Sequence, residues 1–110
     1  MSNRERALEF VKRFAAGDVA GLEPLLSEDL RLAGPFLQVD SRTAYLEVLG
    51  RDPPEPCGVR LLSVTENSDT VAVFYEYEKR DGTLTIAQLF GFSNQRITEI
   101  RLVFDGRESA

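Results

Sequence analysis

The sequence predicts an α+β fold: a curved antiparallel sheet wrapped as a cone around an N-terminal helix, with three helices closing one mouth. Three observations carry this. The apolar period is helical through the first half and becomes two from Val59 onward. Helices first and hairpin-linked strands afterwards mark α+β rather than an alternating α/β chain. The third observation is Thr83 to Phe104, TLTIAQLFGFSNQRITEIRLVF, which reads as two long strands joined by a short polar turn. Alternation puts Leu84, Ile86, Gln88, Phe90 and Phe92 on one side of the first strand. On the second, Ile100, Leu102 and Phe104 supply a matching row, with Arg96 and Thr98 nearer the turn. Gln88 is the polar exception: a buried amide without a partner costs about 1–3 kcal/mol. It either meets a buried partner or lines a cavity.

Taken in order, Ser2 and Glu5 have the spacing of a capping box. Ala7, Phe10, Val11 and Phe14 then recur at helical spacing to the Gly17 region. Asp18 is suited to cap a short second helix, which Pro24 interrupts, and Ser27-Glu28-Asp29 completes a helical corner. Leu30 to Leu32 reads as a brief strand closed by Gly34-Pro35, and Leu37-Gln38-Val39 as extended. Ser41 caps a third helix with Ala44, Tyr45, Val48 and Leu49 on one face and Gly50 as its stop. Arg51 to Pro56 is a proline-punctuated loop. Val59 to Val64 and Val71 to Glu78 are strands about the turn Asn67-Ser68-Asp69, and Arg80-Asp81-Gly82 is a hairpin turn. Along the second of these strands Val71, Val73, Tyr75 and Tyr77 share one side. The tail Gly106–Ala110 reads as frayed.

At 110 residues, 43% hydrophobic and 28% charged, the chain is a single globular domain spanning 1–110. Its one cysteine, Cys57, has no internal disulfide partner, and the absence of histidine removes zinc sites and histidine-based catalysis. A net charge of −5 opposes a nucleic-acid surface. MSNRERALEF is no signal peptide, and no apolar stretch reaches membrane-spanning length. A cytoplasmic protein without cofactor is expected. The outward parity of the sheet places Ala72, Phe74, Ala87, Leu89 and Val103 among Glu76, Glu78, Thr85, Glu99 and Arg101. That face is apolar enough to predict a homodimer joined sheet to sheet.

This layout resembles the nuclear transport factor 2-like (SnoaL-like) superfamily. The resemblance rests on helix 1 running into Ala16-Gly17-Asp18-Val19-Ala20-Gly21-Leu22, on Ser27-Glu28-Asp29, and on Ser41-Arg42-Thr43-Ala44. Ala87-Gln88-Leu89-Phe90-Gly91-Phe92 and Arg96-Ile97 to Phe104 complete it. Within the superfamily the pattern is most similar to ketosteroid isomerase, whose chemistry needs an aspartate base, a tyrosine and a protonated aspartic acid. The resemblance places those roles at Gly34 before Pro35, at Phe10 eight residues before Asp18, and at Gln88. None of the three can transfer a proton, although glutamine still donates hydrogen bonds. The resemblance therefore implies a cone without a working ketosteroid isomerase. The arginine–carboxylate triad of limonene epoxide hydrolases is not visible either, because Glu99 and Arg101 have outward parity. The Asp/His pair of SnoaL-type cyclases lacks its histidine.

What the resemblance leaves is an apolar cone lined by Phe10, Phe14, Tyr75, Phe90, Leu102 and Phe104, with Gln88 as its one convergent polar group and Tyr45, Tyr75 and Tyr77 able to offer a phenol. Such a lining suits a small apolar molecule. Asp40 is the one candidate base, and its alternative role is a turn or capping aspartate beside Ser41. Two further readings stay open: a divergent isomerase, hydratase or cyclase, and a filled cone that acts as a dimerisation module.

Overall fold

The computed structural model describes residues 1–105, so the tail expected to fray at Gly106–Ala110 lies outside the described residues. Helix α1 spans Asn3–Ala15 and starts with the expected capping box. Ser2 Oγ accepts the Glu5 N–H, and Glu5 Oε1 accepts the Ser2 N–H, each at 3.0 Å. Two backbone donors at the helix start are thereby satisfied reciprocally. Ala7, Phe10, Val11 and Ala15 form its buried stripe.

The second helix is not an α-helix. Ala20–Leu25 is a 3₁₀ helix with Pro24 inside it; proline has no N–H to enter an α ladder, and one tight turn tolerates that. Asp18 still acts at its start, accepting the Gly21 N–H at 3.0 Å. Ser27-Glu28-Asp29 is not a helical corner either but part of strand β1, Leu26–Ala33. Leu26 pairs with Ile97 and Arg31 with Glu99, so five steps along β1 face two along the partner strand. The polar trio is accommodated in that bulge while Leu26, Leu30 and Leu32 stay buried.

Strand β2 is Gln38–Val39, and helix α2, Arg42–Arg51, begins where Ser41 Oγ accepts the Ala44 N–H at 3.0 Å. Gly50, expected to stop this helix, lies within it, and the helix ends one residue later at Arg51, with Asp52 as its cap. Four strands form the meander that follows: β3 Gly58–Glu66, β4 Thr70–Lys79, β5 Gly82–Ser93 and β6 Arg96–Val103. Asn94 and Gln95 both have positive φ, 51° and 64°, as the tight turn between β5 and β6 requires.

The six strands form one open sheet in the order β2-β1-β6-β5-β4-β3. It is antiparallel except at β1–β6, which pair in parallel, so the expected all-antiparallel sheet is corrected at that seam. A parallel neighbour needs a long crossover, and everything from β2 to β5 supplies it. Along β6 the register slips between Gly91↔Glu99 and Phe92↔Ile97. The slip turns Ile97 fully into the core, in the place expected for Thr98.

Helix α1 lies against the concave side of the sheet. Phe10, 1% exposed, meets Phe90 edge-on at 5.4 Å between ring centroids. On the convex side Phe74 pairs with Ala87, and Ala87 with Val103, making one apolar row across β4, β5 and β6. Phe74 and Val103 are exposed.

Candidate functional site

Alternation along β4 and β5 builds the site. Val71, Val73, Tyr75 and Tyr77 face inward on β4, and Leu84, Ile86, Gln88 and Phe90 on β5. In the register, Tyr75 lies opposite Ile86, so Gln88 is its diagonal neighbour two residues on. Diagonal neighbours are about 7–8 Å apart, within reach of a tyrosine. Between this surface and the helices is a cavity of about 180 Å³. Helix α1 contributes Phe10 and Phe14 to its wall, and α2 contributes Tyr45 and Leu49. Leu32, Tyr75, Tyr77, Ile86, Gln88 and Leu102 form its floor, and the turn Gly34–Leu37 with Phe104 forms its lip. Phe36 of that turn is exposed and meets Phe104 edge-on at 5.7 Å.

The polar groups of this wall are few and neutral. Gln88 is 5% exposed, and its Oε1 accepts the Tyr75 hydroxyl proton at 2.7 Å. Among the described residues no protein group accepts from the Gln88 amide nitrogen, which leaves two buried N–H donors facing apolar surroundings. Tyr45 is 3% exposed and its hydroxyl likewise has no protein partner among the described residues. Burial pushes the phenols of Tyr45 and Tyr75 well above the ordinary tyrosine range, with neighbouring phenols adding to the effect. Burial and then a hydrogen bond with Cys57 do the same for Tyr77. All three are therefore neutral at ordinary pH. Among the described residues no carboxylate, lysine or arginine lines the cavity.

The residues singled out from the sequence are placed as follows. Phe10, Phe14, Tyr45, Tyr75, Gln88, Leu102 and Phe104 all line the cavity. Phe90 does not: it is fully buried, packed beneath Phe10 as core. Asp40 is also outside the lining, in the connection between β2 and the Ser41 cap. Tyr77, named from the sequence as able to offer a phenol to a ligand, also lines the cavity. Sequence reasoning left out Leu49 and Ile86, although the four-residue step from Tyr45 and parity with Gln88 were signals for them. For the Gly34–Leu37 lip the signal was the resemblance, which placed Gly34 and Pro35 at the site. Spacing gave none for Phe36 and Leu37, since a turn's position over a cavity depends on the parallel docking of β1. Among the described residues no cluster of His, Cys, Asp and Glu is suited to a metal ion, and no helix is long and apolar enough to cross a membrane.

The SnoaL-like domain model matches residues 7–100. This chain belongs to the SnoaL-like family. Solved structures share the fold of this SnoaL-like domain over almost its whole length. An NTF2-like protein of unknown function from Cytophaga hutchinsonii superposes with a TM-score of 0.84 at 17% identity, covering 99% of this chain and 95% of the other. A candidate ketosteroid isomerase from Kribbella flavida gives 0.80 at 15% identity, covering 93% and 76%. An LEH-like epoxide hydrolase from M. tuberculosis gives 0.78 at 15% identity, covering 94% and 83%. At such identities the likeness establishes the fold and leaves the chemistry to this chain's own residues. No curated protein matches the sequence.

Proposed function

We propose that this SnoaL-like protein binds a small, neutral, mainly apolar molecule inside the cone, with the Gln88 amide donating to its polar atom. The observation that carries the reading is the pair of Gln88 N–H donors, buried in an apolar cavity without an acceptor among the described residues. Leaving an amide unpaired in such a place costs about 1–3 kcal/mol, which an accepting ligand returns. A wall dominated by aromatic and aliphatic side chains with few convergent polar groups is the usual composition of a small-molecule site.

The same wall argues against the isomerase chemistry of the superfamily. The positions to which the resemblance assigns that chemistry, Gly34, Phe10 and Gln88, all line the cavity. None bears a titrating proton, and the neighbouring phenols are held neutral. Asp40, the candidate base, lies outside the lining. Binding without turnover is the function this set of residues supports best. Two copies are proposed to meet through the apolar row Phe74, Ala87 and Val103 on the convex face, an arrangement that leaves each cavity mouth free.

The test is thermal melting of the full chain against neutral apolar compounds graded in size. A ligand at a hundred times its Kd stabilises by about 2.7 kcal/mol. Compounds near one ring in size are expected to raise the melting temperature saturably. Leu102→Trp, which puts bulk into the cavity, is expected to abolish the rise. A melting temperature that ignores every compound would overturn the reading and leave a filled, dimerising cone in its place.

A further inference from the structure

The hydrogen bond between Tyr75 and Gln88 does more than hold two strands together. A phenol can donate or accept, and a glutamine amide can present either its oxygen or its NH₂. Tyr75 is 5% exposed, and Gln88 is its one protein partner among the described residues. With Oε1 toward Tyr75, the phenol proton and the carbonyl are both satisfied, and only N–H groups look into the cavity. Turned the other way, the phenol would accept from the amide, and its own proton and the Gln88 carbonyl would both be orphaned. Buried polar atoms of that kind are costly, so the first orientation is held. The Tyr45 hydroxyl can rotate to donate or accept, but the amide held by Tyr75 cannot.

Size narrows the ligand further. An apolar cavity of about 150 Å³ takes up benzene; this one measures about 180 Å³. Sites for drug-sized molecules start at about 300 Å³. The cavity has room for one ring and a substituent atom or two.

We propose that Tyr75 is a specificity-determining residue: by holding Gln88 Oε1 it makes the cavity select neutral single-ring compounds with a hydrogen-bond acceptor, such as cyclic ketones and lactones, over isosteres that offer only a donor. This rests on the binding reading above and names its ligand class. A donor-only ligand placed at Gln88 meets two amide N–H groups and leaves its own proton unpaired there, so the contact that discriminates is the one with Gln88 rather than with the rotatable Tyr45 hydroxyl. A mismatch of this kind costs a factor of at least about five in affinity.

The test uses the full chain and three probes: cyclohexanone, which accepts; pyrrole, which donates; and methylcyclohexane, which does neither. Affinities are measured by NMR titration for wild type, Tyr75→Phe and Gln88→Met. Each ratio of affinities is compared between wild type and variant, so that the probes' own hydration cancels. Tyr75→Phe frees the amide to turn, and the cyclohexanone-to-pyrrole ratio is expected to fall at least about fivefold. Gln88→Met should lower the cyclohexanone-to-methylcyclohexane ratio by a similar factor while apolar binding persists. In wild type, the Gln88 side-chain amide resonances should shift with cyclohexanone and not with pyrrole, a readout that does not depend on either variant folding. An unchanged ratio in folded Tyr75→Phe, or equal amide shifts from both probes, overturns the inference and leaves the binding reading standing. If no probe binds wild type, the binding reading falls and this inference falls with it.

Discussion

Replacing Gln88 by leucine is the perturbation whose outcome the structure constrains most tightly, because two opposed effects are both visible. The leucine removes two buried amide N–H groups that have no acceptor among the described residues, a gain of about 1–3 kcal/mol. It also takes away the acceptor of the Tyr75 hydroxyl, 2.7 Å from Gln88 Oε1; an orphaned buried hydroxyl costs about 1–3 kcal/mol. The two nearly cancel, and Gln88→Leu is expected to change stability by less than about 1 kcal/mol. Tyr75→Phe has no such offset and should cost about 1–2 kcal/mol. The double variant leaves neither group unpaired and should be more stable than Tyr75→Phe alone. Each single variant orphans one group and the double variant neither, so the cycle should return a coupling of about 2–5 kcal/mol, the sum of the two orphaning costs. Urea unfolding of all four proteins at one protein concentration measures it, the fixed concentration keeping any dimer contribution constant. A coupling indistinguishable from zero would refute the hydrogen bond as the link between the two residues. A loss above about 3 kcal/mol for Gln88→Leu alone would show that the amide bridges buried groups rather than facing the cavity.

Other predictions follow from burial and exposure. Phe10→Ala removes a 1% exposed ring that contacts Phe14 and Phe90; it should cost about 3–5 kcal/mol in urea unfolding while enlarging the cavity. The phenols of Tyr45 and Tyr75 titrate well above their ordinary value of 10.0 because burial disfavours the charged form. Their neutral forms therefore contribute stability that is whole below pH 10 and is lost as pH rises above it, since the unfolded chain then releases protons that the folded chain keeps. Above pH 10 each phenol should lower stability by about 1.4 kcal/mol per pH unit, and phenolate absorbance should rise together with loss of folded structure rather than before it. Phe74→Glu places a charge in the exposed apolar row of the convex face. Sedimentation should show a concentration-dependent dimer for wild type and a monomer for the variant, whereas a wild-type monomer at all concentrations would refute the sheet-to-sheet dimer.

Much of this was legible because period and parity are local. The capping box at Ser2 and Glu5, the inward rows of β4 and β5, and the burial of Gln88 each follow from spacing alone. What escaped depends on pairing between distant segments. Ser27 to Asp29 look like helix-corner residues, and only the docking of β1 beside β6 draws them into a strand. Thr98 has the parity of an inward residue, yet a bulge opposite Gly91 gives its place to Ile97. Phe90 shares the parity of Gln88, but the ring of Phe10 covers it. The partner of Gln88 required the strand register, since Tyr75 reaches it only along the diagonal.

The most direct measurement of the central claim is a crystal structure of the protein with cyclohexanone. The expected result places the ring in the cavity with its oxygen about 2.9 Å from Gln88 Nε2, a normal hydrogen-bond distance, and Tyr75 still on Oε1. A ring bound elsewhere, or one in the cavity with its oxygen turned away from Gln88, would contradict the account.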